Sequence, residues 1–149
     1  MSISGEPEME TIDFSFLQHH SDRFLEMAFR TDRDGRLYNP DASASNTGGC
    51  GDSIEIFLTV DEKDVIDSVA FAIDGCINTR ACANGLGDLI ENKPVQYAWS
   101  VTPEAIASEL ETLAAEHFHC AELAAGALYK ALTRYRTLSR DPWKKSYMK

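Results

Sequence analysis

Apolar residues alternate with polar ones in two neighbouring stretches of this 149-residue chain. Residues 53–60 place Ile, Ile, Leu and Val at every second position, the pattern of a half-buried strand. Residues 65–73 form a second such stretch after the acidic turn 61–64, so we expect an antiparallel hairpin that ends at Gly75-Cys76. The residues predicted on one face of the second strand are Val65, Val69, Phe71 and Ile73.

Helical spacing of three and four residues predominates in the rest of the chain. It predicts a first helix up to about Arg30, and a second from Cys76 to the break at 92–94. A third should begin with Thr102 as N-cap and Pro103 at its first position. The last and most regular helix follows His119-Cys120 and runs through Tyr135.

Residues 31–49 are rich in Asp, Asn, Ser and Gly, which predicts a loop with at most a short strand. The order of elements predicts an α+β fold, in which a short antiparallel β-meander carries helices on one face. We expect a disordered acidic N-terminus at 1–12, a single domain at 13–136 and a basic tail at 137–149.

The net charge of −10 argues against nucleic acid or an anionic membrane as the main partner, since both require a basic surface. Metal ions or cationic partners fit better. The tail 137–149 carries a net charge of +3, from four basic residues and one acidic residue, and is either a docking arm or a solvated terminus. No secretion signal or membrane-spanning run is visible, so we expect a cytoplasmic protein.

The chain contains four cysteines, which in a cytoplasmic protein are expected to be reduced thiols. Cys50 precedes the first predicted strand, Cys76 follows the second, and Cys120 begins the last helix. Adjacent antiparallel strands bring Cys50 and Cys76 to the same sheet edge. Asp52, two residues after Cys50 in a glycine-rich loop, can reach the same point.

A thiolate is both a nucleophile and a metal ligand, and free backbone N–H groups at a helix start stabilise it. Three thiolates with one carboxylate form an unusual ligand set, because stable Fe–S clusters prefer four cysteines and structural zinc prefers Cys and His. The carboxylate binds thiophilic metals less firmly than a thiolate does. The pattern therefore predicts a site that can release its contents.

Each of these residues also has a purely structural interpretation. A single cysteine is often a small core residue, and the Cys50-Asp52 segment is also a plausible turn into a strand. His119 either caps the last helix or acts as a ligand. Cys82 lies about 240° around the helix from Cys76 and is interpreted as core, while His117 has no partner that indicates a metal site.

Taken together, the motifs resemble the iron-sulfur cluster assembly scaffolds of the IscU/NifU N-terminal family. The resemblance runs from about Gly48 to Tyr135, with separations of 26 and 44 between the three cysteines. It comprises Cys50-Gly51-Asp52, Gly75-Cys76, the helix end Leu89-Ile90-Glu91-Asn92-Lys93, His119-Cys120 and the last helix closing at 131–135.

The resemblance implies a small three-stranded antiparallel sheet packed against several α-helices. It implies that Cys50, Asp52, Cys76 and Cys120, with His119 as an additional ligand, hold a transient 2Fe-2S cluster, or zinc when no cluster is present. Sulfur would arrive as persulfide from a cysteine desulfurase, and the cluster would pass to acceptor apoproteins. Acceptance of sulfur needs an exposed thiolate with a low pKa, and Cys120 at a helix start is the candidate. Such a scaffold is not an enzyme, and whether it forms a homodimer is left open.

The alternative is a zinc-bound sulfurtransferase of the SufU type, which shares these ligands but carries an insertion before the last cysteine that this chain lacks. Four departures from the scaffold pattern stand out. The chaperone-recognition motif Leu-Pro-Pro-Val-Lys is replaced by 113–117, and the N-terminal Asn-Pro-Arg-Asn element is missing. His117 stands where lysine is usual, and Cys82 where serine is common.

Overall fold

The structure, a computed structural model, describes residues 20–140 of the chain. Within this range three strands form one antiparallel sheet in the order β1-β2-β3, a meander. Five α-helices and a short 3-10 turn accompany it, so the predicted α+β fold is confirmed. The elements are α1 Asp22–Phe29, β1 Ala42–Thr47, β2 Ser53–Val60, β3 Ile66–Asp74, α2 Ile77–Ile90, α3 Val95–Ala98, α4 Pro103–Leu110, the 3-10 turn Ala115–His117 and α5 Phe118–Arg140.

The predicted hairpin is the β2-β3 pair, and its register places Ser53 opposite Asp74. The pairing shifts near its turn end, between Thr59 and Val60. This bulge reverses the alternation, so Ile66, which is fully buried, takes the core position predicted for Val65. The prediction for Val65 was wrong because a period-2 pattern cannot reveal an extra residue in one strand.

Strand β1 was predicted only as a possible short strand within a loop. It has no large apolar residue, because α5 packs closely against it. A Cβ on Gly126 of α5 would lie 2.5 Å from Asn46 Nδ2. The Asn46 amide donates to the Leu123 carbonyl at 3.1 Å and accepts from Lys130 Nζ at 2.9 Å. Small and polar residues are thus what this close contact between helix and edge strand requires.

Two helices begin where the sequence predicted a helix start. Thr102 accepts a hydrogen bond from the Ala105 amide and Pro103 is the first residue of α4. Cys76 is the N-cap of α2. The last helix continues to Arg140, so the boundary predicted at residue 136 falls inside α5. The predicted acidic segment 1–12 lies outside the described residues.

The core lies between the inner face of the sheet and the helices α2 and α5. Its sides are covered by α1, by α4 and by the segment 95–101 that precedes α4. The inward residues of β2, Ile54, Ile56 and Leu58, are fully buried. The small residues of α5 allow it to lie close to the sheet. No helix in the range 20–140 is both long enough and apolar enough to span a bilayer.

A cluster of charged side chains attaches α1 and the segment after it to α2. Asp88 of α2 accepts hydrogen bonds from Arg23 at 2.7 Å, Arg30 at 2.8 Å and Arg33 at 2.9 Å. Arg33 is only 5% exposed and also donates to Glu91 at 2.6 Å. This network holds α1 against α2 in a chain that lacks the Asn-Pro-Arg-Asn element.

Candidate metal centre

Three predicted site residues converge at the edge of the sheet where β2 begins and β3 ends. One ligand atom each from Asp52, Cys76 and Cys120 lies within 4.8 Å of the others. Asp52 immediately precedes β2, Cys76 lies between β3 and α2, and Cys120 belongs to the first turn of α5. The antiparallel pairing brings the first two together, and the packing of α5 on the sheet adds the third.

The carboxylate of Asp52 is held at the N-terminus of α2. Its Oδ2 atom accepts a hydrogen bond from the Thr79 hydroxyl at 2.6 Å and another from the Cys76 amide at 3.3 Å. The Thr79 hydrogen bond lowers the pKa of Asp52, partly opposed by burial, and the Cys76 amide lowers it further. The carboxylate is therefore ionised at neutral pH and available as a ligand.

Sequence reasoning missed Thr79, although a signal was present. It stands three residues after Cys76, one helical turn on, and so faces the same way from α2. Its hydroxyl lies 3.6 Å from Cys76 Sγ and 3.4 Å from Cys120 Sγ. Thr79 is therefore in contact with all three members of the cluster.

The environment of Cys120 differs from the one expected of a sulfur acceptor. The side chain is fully buried, and burial raises the pKa of the Cys120 thiol to about 11, with a smaller opposing effect of the Thr79 hydrogen bond. The choice of Cys120 as acceptor rested on exposure and a lowered pKa, and the structure contradicts both. The helix start offers little compensation, because α5 continues directly from the 3-10 turn and the Phe118 amide donates to the Ala115 carbonyl.

Cys50 is exposed in the loop between β1 and β2. The Gly51 amide donates to the Gly48 carbonyl, and Gly51 has a φ of +95°, a conformation that favours glycine. Cys50 is not part of the group formed by Asp52, Cys76 and Cys120. A Cβ added to Gly48 would lie 3.8 Å from Cys50 Sγ and would also contact Leu123 of α5.

The remaining candidates lie at different distances from the cluster. His119 is exposed, and its Nε2 lies 3.6 Å from Cys120 Sγ while its Nδ1 lies 3.2 Å from the Glu116 carbonyl oxygen. This contact is compatible both with the capping role and with a ligand role. The Nε2 atom of His117 lies 3.6 Å from a carboxylate oxygen of Glu116. Cys82 is fully buried, as expected of a core residue, and burial raises its pKa.

The donor set suits a thiophilic metal. Two sulfur atoms and one carboxylate oxygen lie within 4.8 Å, whereas thiolates bound tetrahedrally to one zinc ion stand about 3.8 Å apart, given Zn–S bonds of about 2.3 Å. A small inward movement of the side chains would satisfy that geometry. His119 or Cys50 could supply a fourth donor, so the residues present fit either an ion or a small cluster.

Residues 21–141 match the family described as NifU-like N terminal domain. The chain belongs to this family. The resemblance identified from the sequence is thereby confirmed, and the match includes the first helix, where the Asn-Pro-Arg-Asn element is missing.

Two relatives of the NifU-like N-terminal domain carry informative names. An 87-residue stretch is 34% identical to the "Iron-sulfur cluster assembly scaffold protein IscU" of Aquifex aeolicus, covering 58% of this chain and 55% of that protein. A 98-residue stretch is 31% identical to the "Iron-sulfur cluster assembly scaffold protein IscU 1" of Archaeoglobus fulgidus, covering 64% and 63%. The matched region therefore spans somewhat more than half the length of these curated relatives.

Two solved structures share the fold of this domain. The N-terminal part of a nitrogen-fixing NifU-like protein from Brucella abortus superimposes with a TM-score of 0.65 at 16% identity, covering 78% of this chain and 94% of that chain. A putative scaffold protein for the SUF system from Fervidobacterium islandicum gives 0.64 at 19% identity, covering 77% and 97%. The predicted three-stranded sheet with several helices is thus confirmed as the family fold.

Proposed function

We propose that this protein is an iron-sulfur cluster assembly scaffold. It gathers iron and sulfide at Cys50, Asp52, Cys76 and Cys120, holds a labile 2Fe-2S cluster and passes it to acceptor apoproteins. The observation that carries the proposal is the convergence of Asp52, Cys76 and Cys120 within 4.8 Å. Membership of the NifU-like N-terminal family, with relatives named as scaffolds, supports it.

The four ligands have different tasks in this proposal. Cys76 and Cys120 are the firm thiolate ligands, carried by the starts of two packed helices. Asp52 is the weaker ligand for iron, because a hard carboxylate holds a thiophilic metal less firmly than a thiolate. Cys50 lies on a glycine-rich loop and closes over the cargo once iron is present. A site assembled in this way binds its cluster and also releases it.

Sulfur enters through an exposed thiolate, and Cys76 fits this task better than Cys120. Cys76 is exposed at the N-cap of α2, whereas Cys120 is fully buried. The Cys76 thiolate attacks the terminal sulfur of a cysteine persulfide on the desulfurase. A new S–S bond forms at Cys76, the desulfurase S–S bond breaks, and the desulfurase cysteine leaves as a thiolate. The transfer itself is redox-neutral, and release of the bound sulfur as sulfide then requires two electrons from an external reductant, which returns Cys76 to the thiolate.

Anaerobic reconstitution with ferrous iron and sulfide tests the proposal. Visible absorption of a 2Fe-2S centre, two iron atoms per cluster by analysis, and transfer of that cluster to an apoferredoxin are the expected results. The Cys82→Ala variant should behave like the wild type, because Cys82 is buried in the core. A protein that stays colourless in repeated reconstitutions would overturn the proposal.

A zinc-bound sulfurtransferase is the second candidate. It is favoured by one observation, namely that two thiols and one carboxylate converge within 4.8 Å without Cys50, so that a small inward movement brings them to the spacing of a single zinc ion. It predicts stoichiometric zinc and faster turnover of a cysteine desulfurase when the zinc-loaded protein is added. Unchanged desulfurase turnover would exclude it.

The scaffold role implies two kinds of partner, a cysteine desulfurase and acceptor apoproteins, and we place the protein in the cytoplasm. We further propose that two copies of the chain share one cluster. Size-exclusion chromatography before and after reconstitution measures the last of these. Elution as a monomer in both states would reject the shared cluster while leaving the scaffold role intact.

A further inference from the structure

Thr79 is the side chain that connects the members of the candidate site. It is fully buried in the first turn of α2. Its Oγ1 atom lies 2.6 Å from Asp52 Oδ2, 3.4 Å from Cys120 Sγ and 3.6 Å from Cys76 Sγ. Among residues 20–140, no other side-chain hydroxyl forms hydrogen bonds to more than one residue of this cluster.

The direction of these hydrogen bonds follows from the chemistry of the groups. A hydroxyl has one proton to donate, and an ionised carboxylate at 2.6 Å is the strongest acceptor within its reach. Thr79 therefore donates its proton mainly to Asp52, while its oxygen stays 3.4 Å from Cys120 Sγ and 3.6 Å from Cys76 Sγ. The Cys76 amide donates to the same carboxylate oxygen. The hydrogen bonds from Thr79 and from the Cys76 amide are thus both accepted by Asp52 Oδ2, and Oδ1 accepts neither.

We propose that Thr79 is a positioning residue, which fixes the Asp52 carboxylate through Oδ2 and leaves Oδ1 to bind the metal of the cargo. The inference rests on the proposed function, because it assigns Asp52 as a metal ligand. Thr79 itself does not bind the metal. Side chains that orient a ligand in this way usually change metal affinity by about 10- to 100-fold when they are removed.

A purely structural role for Thr79 would give a different result. Loss of a buried hydroxyl that only satisfies its neighbours lowers the stability of the fold, whether or not Asp52 is present. A positioning role lowers metal affinity, and only when the Asp52 carboxylate is there to be positioned. A double-mutant comparison separates the two roles.

The experiment measures the affinity of the metal-free protein for Zn²⁺ by competition with a chromophoric chelator, and it needs no cluster. Thr79→Val removes the hydroxyl and keeps the shape, while Thr79→Ser keeps the hydroxyl. We expect Thr79→Val to weaken zinc binding by about tenfold and Thr79→Ser to stay near the wild type. In an Asp52→Ala background, Thr79→Val should have almost no further effect.

Thermal unfolding of each metal-free variant verifies that it is folded, and Thr79→Ala provides a second hydroxyl-free variant should Thr79→Val fail to fold. Equal zinc affinity in the wild type and the hydroxyl-free variant would overturn the inference. So would an equal loss with and without Asp52, or a wild type that binds no zinc. Reconstitution with iron and sulfide is a separate measurement. A negative result for Thr79 therefore leaves the scaffold proposal intact, and a failed reconstitution leaves the effect of Thr79 on zinc affinity intact.

Discussion

The carboxylate of Asp52 lies directly against the backbone of Gly75, the residue that links β3 to the N-cap of α2. A Cβ at position 75 would come within 2.8 Å of the Asp52 Cγ and Oδ2 atoms, a separation that real contacts do not reach. The absence of a side chain at Gly75 therefore creates the space in which Asp52 approaches the thiols. Gly75 was recognised in the sequence as the end of a strand, and its role in the site became visible only in three dimensions.

Gly75→Ala should push the Asp52 carboxylate out of its place and weaken Zn²⁺ binding by about tenfold, as expected when a ligand loses its orientation. Gly49→Ala is the matched control, because a Cβ there would meet nothing within 4 Å. Chelator competition measures both variants. Wild-type affinity in Gly75→Ala would show that the position of Asp52 does not govern metal binding.

Asp52→Ala should make a reconstituted cluster persist severalfold longer in the presence of a chelator. The variant lacks the hard oxygen ligand through which, in our proposal, the cluster is released. The decay of the visible absorption measures this lifetime. Asp74→Ala is the control, because this exposed carboxylate lies at the same sheet edge but outside the cluster. Faster or unchanged loss in Asp52→Ala would indicate that release does not depend on the carboxylate.

Alkylation of the native, metal-free protein with iodoacetamide should modify Cys50 and Cys76 quickly and Cys82 and Cys120 slowly. The first two thiols are exposed and the last two are buried. Peptide mass spectrometry follows each site, and unfolding in urea should make all four rates similar. Fast labelling of Cys120 in the folded protein would contradict the structure of the site.

The same labelling measures whether Cys50 joins the site. Stoichiometric Zn²⁺ should protect Cys76, because it belongs to the preformed group of donors. Protection of Cys50 as well would indicate that its loop closes over the metal. Continued labelling of Cys50 would restrict its ligand role to the cluster-bound state.

The charged cluster that attaches α1 to α2 predicts a dependence of stability on pH. Burial raises the pKa of Asp88, but the hydrogen bonds and charges of Arg33, Arg23 and Arg30 outweigh it, so the pKa lies below its usual value. A depressed carboxylate pKa contributes stability above its unfolded-state value, about 3.9, and this contribution is lost as the pH falls through the folded-state value. The Asp88 contribution should therefore start to decline as the pH falls below about 4 and should be lost only below the folded-state pKa.

Asp88→Asn should lower the free energy of unfolding by about 2 kcal/mol at pH 7, because it leaves the buried Arg33 without one of its two carboxylates. The difference from the wild type should shrink as the pH falls below about 4. Urea unfolding at several pH values measures it, with the exposed Asp67→Asn as control. A difference that is independent of pH would show that the charge of Asp88 is not what stabilises this contact.

Several features of the fold could be read from the sequence because they depend on neighbouring residues. Period-2 alternation identified β2 and β3, and Thr102-Pro103 marked the start of α4. The bulge that replaces Val65 by Ile66 in the core could not be read, since it depends on how one strand pairs with the other. Strand β1 was predicted only weakly because its small residues reflect the close approach of α5, which is distant in sequence.

The sequence by itself determined which chemical groups are available. It also showed that these groups lie at the starts and ends of β2, β3, α2 and α5, because strand alternation, helix capping and glycine-rich turns are local properties. The tertiary structure alone decided how these groups meet. It placed Asp52 beside Cys76 and Cys120 and left Cys50 outside that group, it buried the Cys120 thiol, and it inserted the Thr79 hydroxyl among them. Burial and distance arise from segments that are far apart in the chain, and a single sequence does not specify them.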